Sequence, residues 1–125
     1  VRQRLITSLE LAVSVLGRSA SCREMFQELG HDGADLLART TFMAADARLE
    51  ATLCHGAEAF TVVGSNWTGL CRDFSQLTDL EAAVVLLHEA LHHAGVTEWP
   101  LDPDARRSSE ISADVGRRCG LLSGR

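Results

Sequence analysis

His88-Glu89-Ala90-Leu91-His92 places two imidazoles four residues apart, with a carboxylate between them. On a helix, positions i and i+4 lie one turn apart on the same face, so both rings can reach one metal ion. Glu89 projects beside them, close enough to take a proton from a water held by that metal. Zinc lowers the pKa of such a water towards about 7 and makes it a nucleophile at neutral pH. Catalytic zinc sites commonly use three protein ligands and leave a fourth position for water, so one more ligand is needed. Ser109-Glu110-Ile111-Ser112-Ala113-Asp114 offers it on a second helical segment, with 17 residues between His92 and Glu110 for a loop and a return. Glu110 and Asp114 are again i and i+4 and share a face. Glu110 is expected to complete the ligand set. Asp114 is expected to accept a hydrogen bond from the far nitrogen of a ligand histidine, which fixes its tautomer and raises its basicity.

H-E-x-x-H followed by a downstream E-x-x-x-D resembles the gluzincin branch of the zincin metallopeptidases, the thermolysin-like plan, over residues 78–119. The resemblance implies one Zn2+ on His88, His92 and Glu110, with Glu89 as general base and Asp114 as the orienting carboxylate. It implies hydrolysis of peptide bonds in a peptide or protein substrate. Thermolysin-like enzymes commonly stabilise the oxyanion with a Tyr and a further His. This chain has no Tyr, which leaves His31, His55, His93 or an Arg as candidates.

Two other third ligands stay open. Glu98 completes H-E-x-x-H-x-x-G-x-x-E, which resembles a metzincin outline with Glu in place of the final His and Gly95 at the turn. Metzincins also carry a Met-containing turn downstream, whereas Met25 and Met43 both lie upstream. Cys71 is the other, because peptide deformylases combine a Cys with H-E-x-x-H. Two further function classes follow: a non-catalytic domain whose zinc staples two helices, and a deformylase-like amidase.

The elements that must position these groups follow from the pattern. Residues 3–16 and 21–29 read as helices, stopped by Gly17 and Gly30, and the Ala-rich residues 34–47 have room for a third, short one. Leu49, Ala51 and Leu53 alternate like a half-buried strand; residues 60–63 and 67–71 are further strand candidates. Thr78 and Glu81 form a capping box, after which Leu80, Val84, Leu87 and Leu91 recur at one-face spacing up to Gly95. Residues 96–107, with Pro100 and Pro103, read as a loop. A last helix runs from Ser108 or Ser109 to about Arg118. The expected class is α+β: N-terminal helices, a small antiparallel or mixed sheet, the H-E-x-x-H helix and a C-terminal helix carrying the third ligand.

The chain has 125 residues, enough for one domain over residues 1–125. Its formal charge is −5 and its 12 cationic side chains, all Arg, are scattered, so no basic stripe for nucleic acid is visible. No apolar run is long enough for a membrane span. The first 22 residues faintly resemble a secretory signal, but Glu10 interrupts them and the periodicity is that of an amphipathic helix. Cys22, Cys54, Cys71 and Cys119 contain no C-x-x-C pair and are expected as two disulfides, Cys22–Cys54 and Cys71–Cys119. That implies a secreted, periplasmic or otherwise extracytoplasmic location; four free thiols would instead fit the cytoplasm.

Overall fold

Helix α1 (Arg2–Arg18) turns through 93° into α2 (Ala20–Gln27). Ser19 makes the corner: its backbone is extended, and its side chain accepts a hydrogen bond from the Cys22 N–H to cap α2. Asp32 caps α3 (Gly33–Arg39) in the same way, accepting from the Asp35 N–H. The computed structural model describes residues 1–121.

The short helix expected within residues 34–47 forms as α3, and the stretch after it adds strand β1 (Thr41–Ala44). Thr40, Thr41 and Phe42 are strand formers inside an otherwise Ala-rich stretch, and they decide its conformation. Conversely, the strand expected around 49–53 is helical. Asp46 caps α4 (Ala47–Leu49), which continues as a wider π-type turn over Glu50–Cys54. The alternation there does not mark a buried face, since Leu53 is 49% exposed.

Strands β2 (Ala59–Thr61) and β3 (Trp67–Leu70) form close to their expected positions. The mixed sheet has the order β1-β3-β2, with β1 parallel and β2 antiparallel to β3. Phe60 pairs with Gly69 and lays its ring over it; a Cβ on Gly69 would come within 2.2 Å of that ring. Phe60 also meets Trp67 edge-on, at 5.6 Å between centroids.

Helix α5 (Asp79–His93) begins with the expected capping box between Thr78 and Glu81. Ala82, Ala83, Leu86, Leu87, Ala90 and Leu91 are all buried, because α1, α3, α6 and β2 cover the helix on several sides. A helix apolar around most of its circumference is a core helix. Leu80, expected in the buried stripe, lies at the exposed N-terminal turn instead. Helix α6 (Ser108–Cys119) packs on α5 and buries Ile111, Val115 and Cys119.

All four cysteines form disulfides, but the pairs are Cys22–Cys119 and Cys54–Cys71, not Cys22–Cys54 and Cys71–Cys119. Packing of α2 on α6 brings the Cα atoms of Cys22 and Cys119 to 4.5 Å. Cys54 closes its helical turn against the residue that follows β3. No single helix among the described residues is long and apolar enough to cross a membrane.

Candidate metal centre

His88 and His92 both point their Nε2 atoms at one place. These two nitrogens are 3.1 Å apart, and Glu98 Oε1 lies 3.0 Å from the first and 3.1 Å from the second. Three donors on a tetrahedral zinc, with bonds near 2.0–2.1 Å, would be separated by about 3.3 Å. The remaining ring nitrogens are held elsewhere. His92 Nδ1 is 2.7 Å from the Val96 carbonyl oxygen, which can only accept, so Nδ1 carries the hydrogen and Nε2 of the neutral ring offers a lone pair. His88 Nδ1 is 2.8 Å from Ser112 Oγ. Two oriented imidazoles and one carboxylate oxygen are a donor set that fits zinc.

Backbone geometry brings Glu98 there. Helix α5 ends at His93, and Gly95, two residues on, turns the chain with a φ of 103° that suits glycine. The Val96 N–H then returns to the Leu91 carbonyl. The following loop is tied to itself: Trp99 N–H to Arg106 O, Asp102 N–H to Glu98 O, and Thr97 Oγ1 to Asp102 Oδ2. The Arg107 guanidinium stacks over Trp99, 4.5 Å from its ring centroid.

Glu110 and Asp114 do other work. Glu110 occupies the third position of α6, where its Oε1 accepts from the Arg107 N–H, and it is exposed. It caps its own helix and does not approach the histidines. Asp114 pairs with Arg106 and Arg117 instead of a ligand histidine. Ile111, Val115 and Cys119 are the residues of α6 that face the core. That orientation brings Ser112, not its neighbours at 110 and 114, against His88. The Val96 carbonyl therefore sets the tautomer of His92, and the Ser112 hydroxyl orients the ring of His88.

Glu89 is buried beside both imidazoles, with a carboxylate oxygen within 4.8 Å of their ligand nitrogens. Burial pushes its pKa up to about 7; His92 and a hydrogen bond from Thr61 act against that rise, while Glu98 and Glu58 add to it. Burial also lowers the pKa of His88, helped by His92 and opposed by Glu98. These groups line an open cleft of about 940 Å³, walled by β2 and Val62-Val63 on one side and by Leu101, Ser108 and Ser112 on the other. Strand β2 is the edge of the sheet.

Among the other candidates, Cys71 is bonded to Cys54 and is not available as a thiolate ligand. Glu50 lies near that bridge, but its carboxylate accepts from the Arg72 N–H. His55 sits in an exposed left-handed turn. His31 lines a separate cavity of about 250 Å³ with Arg39, Ser65, Asn66 and His93. Sequence reasoning gave Ser112 no role of its own. The apolar 111/115/119 spacing, which sets the rotation of α6, was the available signal for Ser112. No protein family, curated protein or solved structure matches the chain.

Proposed function

We propose that the chain is a zinc-dependent metallopeptidase, with His88, His92 and Glu98 as ligands and Glu89 as general base. The convergence of two imidazole nitrogens and the Glu98 oxygen at one point, beside a buried carboxyl, carries this reading. Zinc bound there supplies a Lewis acid that acidifies water and polarises a carbonyl. Glu89 takes the proton of the attacking water and later gives it to the leaving amine. The edge of β2 along the cleft offers main-chain partners to an extended peptide.

All four groups line an open cleft, which supports a catalytic role over a zinc staple sealed between helices. The two disulfides support an extracytoplasmic location. The test is metal analysis combined with hydrolysis of a pool of internally quenched fluorogenic peptides. Wild type and Glu89→Gln are expected to hold about one zinc per chain, with cleavage by wild type alone. Cleavage that persists in purified Glu89→Gln would sink the mechanism. Absence of zinc from wild type, even after reconstitution, would sink the metal site.

A further inference from the structure

We propose that the cleft continues into a side pocket between α5 and α6 that receives a basic side chain of the substrate, Lys or Arg, with Glu58 as the carboxylate that selects it. The inference deepens the peptidase reading and rests on it. A second cavity of about 400 Å³ adjoins the cleft, and Glu58, Val85, Ser109 and Ser112 line both. Ser112 is also the residue that touches His88, so the pocket opens beside the candidate metal centre.

The pocket follows from residue size. Ser109, Ser112, Ala113 and Gly116 stand at i, i+3, i+4 and i+7 of α6 and share one face. All four are small, so that face leaves room opposite Val84 and Val85 of α5. Gly116 lies in the helix interior, where glycine costs stability relative to alanine. A larger residue there would narrow the pocket. Glu81 precedes His88 by two helical turns on α5, about 10 Å along the axis, and marks the far end with Leu77.

The chemistry of the lining chooses the occupant. Aliphatic walls run between two carboxylates, Glu58 and Glu81. Among the described residues no arginine lines either cavity, although the chain carries 12. Lys and Arg lay their methylene stems on apolar surface and carry their charge at the tip. An apolar side chain meets the walls but leaves the carboxylates unanswered, and an acidic one is repelled. Glu81 accepts from the Thr78 N–H as part of the α5 cap, so Glu58 is the carboxylate whose charge can be removed without uncapping a helix. The Glu58 backbone is fixed, because its carbonyl accepts from the Cys71 N–H just before β2 begins. Its side chain therefore stands where the free strand edge, which pairs with main chain, meets the pocket, which takes a side chain.

The experiment uses the full-length, zinc-loaded protein and quenched peptides built on the fastest-cleaved sequence of the fluorogenic pool. Lys, Arg, norleucine, Ala or Glu is placed in turn at each position flanking the scissile bond; norleucine keeps the straight stem of Lys and lacks its charge. At one position Lys or Arg is expected to exceed norleucine in kcat/KM by about fivefold, the upper scale of a solvent-facing ion pair, with Glu below both. In Glu58→Gln the Lys-to-norleucine ratio is expected to fall to about one, and in Glu58→Lys the Glu peptide is expected to overtake the Lys peptide. Any effect of the Glu58 charge on Glu89 cancels in the ratio, since both peptides meet the same protein. Ala113→Phe, at an exposed position of α6, is expected to keep its zinc and to slow the Lys and norleucine peptides relative to the Ala peptide, because the ring fills the pocket. Absence of any position that prefers Lys or Arg to norleucine, a preference unchanged in Glu58→Gln, or a Lys-to-Ala ratio unchanged in Ala113→Phe would overturn the proposal.

A binding readout separates this proposal from the peptidase reading. Fluorescein-labelled Gly/Ala peptides carrying one Lys or one norleucine are titrated with the metal-free chain and followed by anisotropy. The Lys peptide is expected to bind more tightly, with the difference lost in Glu58→Gln and reduced by added salt. If that pattern holds and wild type cleaves no peptide, the peptidase reading fails and the pocket stands. Cleavage without a basic preference overturns the pocket alone, as does equal binding of the two labelled peptides or binding of neither.

Discussion

Glu98 Oε1 lies 3.0 Å from His88 Nε2, although the two residues stand on a loop and a helix, with the helix end at His93 and the Gly95 turn between them. The contact depends on a loop that hydrogen-bonds to itself and so presents one carboxylate at a fixed height above the helix. At the proposed zinc site, replacing that carboxylate would remove one ligand of three. Glu98→Ala is expected to weaken zinc binding by more than the roughly 10- to 100-fold that an outer-shell partner costs. Glu110→Ala is expected to keep its zinc and to lose about 1 kcal/mol of stability through its helix cap. Elemental analysis after dialysis against graded chelator separates the two.

Ser112→Ala addresses the orientation of His88. Without the hydroxyl 2.8 Å from Nδ1, the ring loses the contact that orients it. Zinc affinity is expected to fall about 10- to 100-fold. Loss of the single hydrogen bond is expected to cost about 1 kcal/mol in folding stability. Competition with a fluorescent zinc chelator measures the first, and urea unfolding the second.

Burial of Glu89 also sets a pH dependence in the metal-free chain. Its folded pKa of about 7 exceeds the ordinary value of 4.5, so the folded state holds this proton more tightly than the unfolded chain. Between those two values the folded state binds more protons, and the contribution of Glu89 to stability falls as pH rises through the window. Above about pH 7 the whole penalty is present, on the order of 3 kcal/mol. Metal-free Glu89→Gln is therefore expected to melt higher than metal-free wild type at pH 8. The two are expected to converge near pH 4. His88, whose pKa is lowered, acts oppositely: its contribution is lost as pH falls below its ordinary 6.5.

The bridges differ in what they constrain. Cys22–Cys119 spans 97 residues and Cys54–Cys71 spans 17. By loop-closure entropy, replacing both cysteines with serine is expected to cost about 4.7 kcal/mol for the first and about 3 kcal/mol for the second. The second also fixes the turn that carries Leu53 to the cleft wall. Urea unfolding is expected to rank the two pairs in that order, with a larger loss of peptide hydrolysis per kcal/mol in the Cys54/Cys71 variant.

Gly69→Ala tests the sheet beneath the cleft. The added methyl would meet the Phe60 ring at 2.2 Å, so the ring must leave its place against Trp67. The expected cost is about 1–3 kcal/mol, that of overpacking a filled site. Thermal unfolding reads the loss, and near-ultraviolet circular dichroism reads the changed surroundings of Trp67.

Local chemistry was readable where a residue acts on its own neighbours. The Thr78–Glu81 box, the glycine after α5 and the ends of β3 follow from types and short spacings. The identity of the third carboxylate did not follow. Glu110 and Asp114 share a helix face, but the rotation of α6 is set by what Ile111, Val115 and Cys119 bury, and Glu110 is consumed by its own helix cap. Glu98 had the right distance along the chain from Gly95, but its height depends on loop hydrogen bonds such as Asp102 N–H to Glu98 O. Those have no signature in a list of residue types. The cysteine pairs failed for a related reason. Spacing favours pinning the ends to the middle, whereas the contact of α2 with α6 joins the two ends. Leu49, Ala51 and Leu53 alternated correctly for a strand, and a single capping aspartate at 46 overrode them.

The Cys54–Cys71 bridge lies entirely inside the loop closed by Cys22–Cys119. A single backbone break anywhere between residues 22 and 119 therefore leaves all pieces covalently joined. Exposed turns at Gly56 and Gly64 fall in this stretch and offer cleavage sites to a protease, the chain's own proposed activity included. Such a nicked molecule would migrate as one band without reductant and copurify with the intact form. It would separate into two fragments only after reduction. A preparation judged homogeneous under non-reducing conditions can thus be a mixture, and its specific activity an average over two species.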